Sequence, residues 1–292
     1  MKRMLLLAIC CFFATNSAFG QLENGLEGYW QFNVNALDSS EAARDLDLVG
    51  NPGFGTGLIG CALDLNGNPS QYSVGATNET VFNLGGDEFT IQVWVNFSST
   101  GGEQTLFEKF TGGSGPGYTL TKLPNNRIQF FAHSLAVINS PVLNLETGVW
   151  HHIVMRRIGN SLEMFLDDQS VIQSTHVGSV VSSPNPIQIG ERQGPQQFGV
   201  NGLIDEVAFW KRGISNAEIT QLFNDRMGFA LVSEPKIMLG DVNLDGMINL
   251  LDIDPFVALI TEGSYQAEAD LNEDCQVNLL DVEPFIGVLS GG

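Results

Sequence analysis

The sequence predicts an all-β, two-sheet sandwich followed by a small α-helical unit, and three observations carry that prediction. First, 33 Gly and 11 Pro in 292 residues favour tight turns joining short strands over long helices. Second, strand-period alternation recurs between residues 21 and 228, with one helical stretch at its end. Third, composition changes near residue 230: residues 241–292 hold eleven Asp or Glu and no Lys, Arg or His. Hydrophobic content of 43% with 16% charged residues is that of a globular chain, and the length permits two domains.

The elements follow in order. Met1-Lys2-Arg3, the apolar run Met4 to Thr15 and the small residues around Ser17-Ala18-Phe19-Gly20 form a secretory leader over residues 1–20, with cleavage expected after Gly20. Export to the extracellular space or the cell surface is therefore expected. No later stretch is long and apolar enough to span a bilayer. The sandwich is expected over residues 21–230. Within it, Phe89 to Phe97 alternates at period two, as a half-buried strand does. Trp150 to Arg157 and Ser161 to Leu166 flank Gly159-Asn160 as a hairpin, with Asp167-Asp168 the next turn and Val171-Ile172 the next strand. Ser215 to Asn224 reads as a helix: Ser215 caps it, Glu218 completes a capping box, and Ile219, Leu222 and Phe223 share a face. Residues 231–238, interrupted by Pro235, form a linker, and residues 239–292 form the second unit.

The formal net charge of −20 repels nucleic acid and anionic membranes and excludes both as partners. Dense carboxylate suits divalent cations instead. After leader removal the remaining cysteines are Cys61 and Cys275, one in each unit, so no disulfide framework is expected. His133, His151, His152 and His176 all precede the tail, which leaves it nothing resembling a zinc site.

The tail carries the chemistry. Asp241-Val-Asn243-Leu-Asp245-Gly246-Met247-Ile248-Asn249-Leu-Leu-Asp252 aligns with Asp270-Leu-Asn272-Glu-Asp274-Cys275-Gln276-Val277-Asn278-Leu-Leu-Asp281. Each places side-chain oxygens at positions 1, 3, 5, 9 and 12, with a backbone carbonyl available at position 7 (Met247, Gln276). Ca²⁺ takes six to eight oxygen ligands, and a twelve-residue loop supplies them by coiling round the ion. Position 8 (Ile248, Val277) pins the loop to the core, and position 6 must turn sharply, which suits Gly246. After each loop, Pro255 or Pro284 sits in the first turn of a short helix, where its missing N–H has no intrahelical partner anyway.

A duplicated loop–helix unit with no entering helix resembles the dockerin type I repeat, over residues 240–290. The resemblance implies that Asp241, Asn243, Asp245, Asn249 and Asp252 hold one Ca²⁺, and Asp270, Asn272, Asp274, Asn278 and Asp281 another. It also implies docking to a cohesin-like or other protein partner. Two departures stand out. Cys275 replaces Gly where a positive φ is needed, at a cost on the order of 1 kcal/mol, so the second site is expected to be the weaker. Leu250-Leu251 and Leu279-Leu280 replace the small hydroxyl residues usual for cohesin contact. Packed inward they would serve the core, and exposed they would form a symmetric apolar docking face.

Leu26 to Phe32, Phe89 to Val95, Gly148 to His152 and Gly202 to Trp210 resemble the laminin G-like (concanavalin A-like) jelly roll, over roughly residues 24–228. The resemblance implies a glycan or protein ligand. It also raises a third Ca²⁺ between Asp38 and Asp205 or Glu206, with Asp38 as a plain turn residue the alternative. Trp30, Trp94, Trp150 and Trp210 are expected in the core rather than as sugar platforms. His151 and His152 point to opposite faces of one strand and cannot act together. No Glu-x-Asp-x-x-Glu run, Gly-x-Ser-x-Gly elbow or phosphate loop is present, and Asp205-Glu206, as neighbours on a strand, should face opposite ways. The expected function is thus a non-catalytic, exported, calcium-binding protein. The alternatives are a polysaccharide-degrading enzyme of concanavalin A-like fold tethered by its dockerin-like tail, and a structural cell-surface or adhesion protein.

Overall fold

The computed structural model describes residues 21–68, 70–193, 198–232 and 237–291. The leader expected over residues 1–20 and the centre of the linker, residues 233–236, lie outside the described residues. Fifteen described strands follow one another. They are β1 (Leu26–Trp30), β2 (Asp47–Val49), β3 (Gly53–Thr56), β4 (Cys61–Asn66), β5 (Tyr72–Val74), β6 (Phe89–Phe97), β7 (Gln104–Phe110) and β8 (Gly117–Lys122). After them come β9 (Ile128–Ala132), β10 (Ala136–Asn139), β11 (Trp150–Ile158), β12 (Ser161–Leu166), β13 (Gln169–Thr175), β14 (Gln188–Ile189) and β15 (Asn201–Trp210). Three described α-helices follow: α1 (Asn216–Phe223), α2 (Ile253–Glu262) and α3 (Val282–Leu289).

The strands build two antiparallel sheets. The first runs β13-β12-β11-β6-β15-β4-β3, with β1 also paired to β15; the second runs β10-β9-β8-β7-β14-β5-β2. Their facing sides enclose one apolar core, in which Phe89, Ile91, Val93, Val95 and Phe97 of β6 meet Leu106, Phe107, Leu120 and Phe130 of the opposite sheet. Each such side chain contributes about 1.5–3 kcal/mol when fully buried.

β6 is not half-buried as its alternation suggests; all but Asn96 of its nine residues are buried. α1 lies across the outer face of the first sheet and covers a second cluster that includes Tyr29, Val154, Trp210, Ile219 and Leu222. Trp94 packs against His152, at 4.7 Å, and Phe223, at 5.9 Å, and those two rings lie 6.2 Å from each other. α1 forms where its capping box predicts: Ser215 accepts from Glu218 N–H while Glu218 accepts from Ser215 N–H. Arg212 then pairs with Glu218 at 2.6 Å. Trp30, Trp94 and Trp210 are fully buried, in line with a packing role. Among the described residues no helix is long and apolar enough to cross a membrane.

The tail has its own small cluster, Val242, Phe256, Ala269, Val277 and Phe285, with the two phenyl rings stacked at 4.0 Å. Contrary to the expectation drawn from two cysteines in separate units, Cys61 on β4 and Cys275 in the tail form a disulfide. Spacing could not show this, because 214 residues separate the pair and only the fold brings them together.

Candidate functional site

The two tail loops share most of their side-chain-to-backbone bonds. In the first, Asp241 Oδ1 accepts from Asp245 N–H and Oδ2 from Gly246 N–H, while Asn243 Oδ1 also accepts from Asp245 and Asp245 Oδ1 accepts from Met247. Asp252 closes the loop, its two oxygens accepting from Asn243 and Asn249 N–H, and Asn249 accepts from Leu251. In the second, Asp270 accepts from Asp274 and Cys275, Asn272 from Asp274, Asp274 from Gln276, and Asn278 from Leu280. Asp281 accepts from Leu271, Asn272 and Asn278. Short polar side chains that bond to the backbone two to five residues on curl the chain into a ring. Gly246 and Cys275 both turn through positive φ, at 84° and 68°, as position 6 requires.

The rings hold buried charge. Asp241, Asp252, Asp270 and Asp281 are all buried, and among the described residues no Lys, Arg or His pairs with any of them. Burial pushes the Asp270 carboxyl above its ordinary range, assisted by the nearby charges of Asp281 and Asp274 and opposed by the N–H groups of Cys275 and Asp274. Among the described residues, the His, Cys, Asp or Glu ligand atoms that gather in threes within 4.8 Å of one another are those of Cys61, Asp270 and Cys275, two of them spent in the disulfide. The loop carboxylates therefore stand wider apart around each ring, with the Asn amides among them.

The leucines at loop positions 10 and 11 point outward. Leu250, Leu251, Leu279 and Leu280 are 77%, 66%, 76% and 66% exposed. The small core takes Phe256 and Phe285 instead. Beside the leucines, Phe256, Val257, Ile260, Leu279, Val282 and Ile286 line an apolar groove of about 390 Å³ between α2 and α3.

The sandwich acids behave differently from expectation. Asp38 Oδ1 accepts from Tyr29 and Ser40 N–H, and Oδ2 from Arg44 N–H. Asp205 Oδ2 accepts from Leu58 and Ile59 N–H, and Oδ1 from Glu206 N–H. Glu206 accepts from the Tyr29 hydroxyl. Among the described residues Asp38, Asp205 and Glu206 form no group of three within 4.8 Å, and neither do the carboxylates of either tail loop. Nor do Asp205 and Glu206 face opposite ways. β15 bulges between Asp205 and Ala208, with Glu206 at φ 51°, and the extra residue turns both acids away from the inter-sheet core that takes Ile204 and Val207. Both are buried, which closes them to a substrate. His151 and His152 do part as predicted: His152 lies against Gln92 and Trp94, whereas His151 accepts from Glu146 N–H.

Sequence reading missed two acids, Glu108 and Glu191, in a polar strip on the second sheet. Glu108 on β7 accepts from Gln193 N–H at 2.6 Å, and Arg192 pairs with Glu103 at 2.7 Å, bonds Thr121 at 2.9 Å and lies over the Phe198 ring. Burial raises Glu108 to about 8 and neighbouring Glu191 to about 7. The glycine-rich loop at Gly112 adjoins this strip through the carbonyl of Gln193, while residues 194–197 lie outside the described residues. No local spacing links Glu108 to Glu191; the fold alone brings them side by side.

The profile of the concanavalin A-like lectin/glucanases superfamily matches residues 68–220. The chain belongs to that superfamily. No curated protein matches its sequence. Among solved structures, this superfamily member is similar to the binding domain of Paraclostridial Mosquitocidal Protein 1, at 15% identity and a TM-score of 0.57, over 70% of this chain and 53% of that one. It is also similar to domain 4 of AbnA, a GH43 extracellular arabinanase from Geobacillus stearothermophilus, solved in complex with arabinotriose. There identity is 15% and the TM-score 0.54, over 67% of this chain and 96% of that one. A third likeness is to the ligand binding domain of botulinum neurotoxin serotype D in complex with N-acetylneuraminic acid, at 12% identity and a TM-score of 0.56, over 72% and 53% of the two chains. The chain spans about half the length of the toxin domains. At these identities the likeness establishes the fold; two of these neighbours are binding domains and the third is a domain of an arabinanase.

Proposed function

We propose that this is an exported, non-catalytic binding protein, in which the sandwich takes a glycan or protein ligand and the tail docks to a protein partner once Ca²⁺ is bound. The observation that carries the tail reading is the set of four buried carboxylates held by backbone N–H groups with no cationic side chain beside them. Buried charge is costly unless paired. The donors fit Ca²⁺: carboxylate and amide oxygens at positions 1, 3, 5, 9 and 12, with the Met247 or Gln276 carbonyl at position 7 and no nitrogen or thiolate ligand. When bound, the ion supplies the positive charge that the tail's own side chains lack. A disulfide supports an oxidising compartment outside the cytosol.

The four exposed leucines support docking through the apolar face of α2 and α3, and a rim without a single basic residue favours a partner whose own rim is basic. A cohesin-like protein is one partner to test. For the sandwich, the likeness to a domain solved with arabinotriose supports a carbohydrate ligand, and the closed Asp205-Glu206 pair gives no reason to read an enzyme. A glycan array probed with the full chain in Ca²⁺ is expected to show selective retention. Retention of no glycan would remove the lectin reading, and turnover of a polysaccharide panel would replace it with the enzyme.

A further inference from the structure

We propose that the Cys61–Cys275 disulfide is the positioning device of the second cation loop and makes that loop the tighter of the two sites. The inference rests on the calcium reading above. The loops share the backbone bonds of their ligand side chains, apart from an extra one from Leu271 to Asp281, and differ at position 6. At Gly246 nothing lies within 4 Å of the place a Cβ would occupy. Its counterpart Cys275 is tied to the first residue of β4.

The bond acts on the loop at a sensitive place. Cys275 N–H donates to Asp270 Oδ2 at 2.8 Å, so the tethered residue helps to aim the position 1 carboxylate. Tyr265 approaches the same oxygen at 3.3 Å, and its hydroxyl lies 3.8 Å from Cys61 Sγ. Thr56 of β3 donates to the Glu273 carbonyl at 3.4 Å. The sandwich therefore holds the second loop at two points, Cys275 and Glu273, and among the described residues no hydrogen bond reaches from the sandwich to the first.

Two consequences follow. A residue with a Cβ resists positive φ, and the disulfide, which ties Cys275 to β4 even in the ion-free tail, narrows the conformations from which the loop must close. A restrained site loses less entropy on binding and so binds more tightly. The order expected from sequence, with the second site weaker, is thereby reversed. Linkage makes the effect reciprocal: whatever factor the disulfide contributes to cation affinity, the cation must contribute to resistance of the disulfide to reduction.

The test uses the full chain with the first loop silenced by Asp241→Ala and Asp252→Ala, titrated with Ca²⁺ by calorimetry before and after reduction. A dithiol reductant supplies two electrons and two protons, leaving two thiols and its own disulfide. Reduction is expected to weaken binding about fivefold or more. Unchanged affinity would overturn the proposal. A chain with the second loop silenced by Asp270→Ala and Asp281→Ala should bind one Ca²⁺ with an affinity indifferent to reduction. If that chain binds and the first fails to bind in either redox state, the brace is wrong and the calcium reading stands; if neither binds, the calcium reading itself falls. As a measure independent of variant folding, the wild-type disulfide equilibrated in a dithiothreitol redox buffer should be less reduced in Ca²⁺ than in EDTA. Equal extents of reduction would also overturn the proposal.

Discussion

Chelation of divalent cations by EDTA is expected to abolish the helical circular dichroism of residues 239–292 while the sandwich keeps its strand signal. The tail has five buried apolar residues in its cluster, too few to support a fold of that length unaided. Its three aspartates per loop repel one another within each ring. At a hundredfold excess of ion over its Kd each site adds about 2.7 kcal/mol, so two sites add about 5 kcal/mol, comparable with the whole stability of a small domain. Binding energy is then folding energy. The disulfide would keep an unfolded tail attached to β4, so chelation should change spectra without releasing a fragment. A tail spectrum indifferent to EDTA would refute this.

Replacing Asp205 by Ala is expected to destabilise the sandwich by more than about 3 kcal/mol. The carboxylate gathers the N–H groups of Leu58, Ile59 and Glu206, and each buried donor left unpaired costs about 1–3 kcal/mol. The same residue gives a pH dependence. Burial raises its carboxyl well above the ordinary carboxylate range against the pull of those three N–H donors. The unfolded chain thus releases the proton near 3.8 and the folded chain only at higher pH. Its contribution is complete below 3.8 and is lost as pH rises from there through the raised folded-state value. Chemical denaturation of the wild-type chain and of Asp205→Asn across that range checks both points: the variant should show the flatter pH profile, and parallel profiles would contradict the assignment.

How much of this was legible depended on the range of the information. The tail loops could be read because their oxygen donors recur within twelve residues and again 29 residues on, and the backbone bonds that shape the rings are equally local. The capping box of α1 was legible for the same reason. The Cys61–Cys275 bond was not, since it depends on how the tail meets the edge of β4. Asp205 and Glu206 misled because strand alternation assumes regular pairing, and one extra residue in β15 turns both to the same side. β6 reads as half-buried because its outer residues are polar or aromatic; α1 then covers them. The leucines could have gone either way. Helical period alone did not decide between them and Phe256 or Phe285 for a core with room for few side chains.

The central claim is that the tail is a cation-dependent unit with two equivalent sets of ligands. Calorimetric titration of the chelator-stripped full chain with Ca²⁺ tests it most directly. The account predicts two ions per chain, one lost with Asp241→Ala and the other with Asp270→Ala, and helical signal rising as the sites fill. Absence of binding, or binding that survives both substitutions together, would contradict it.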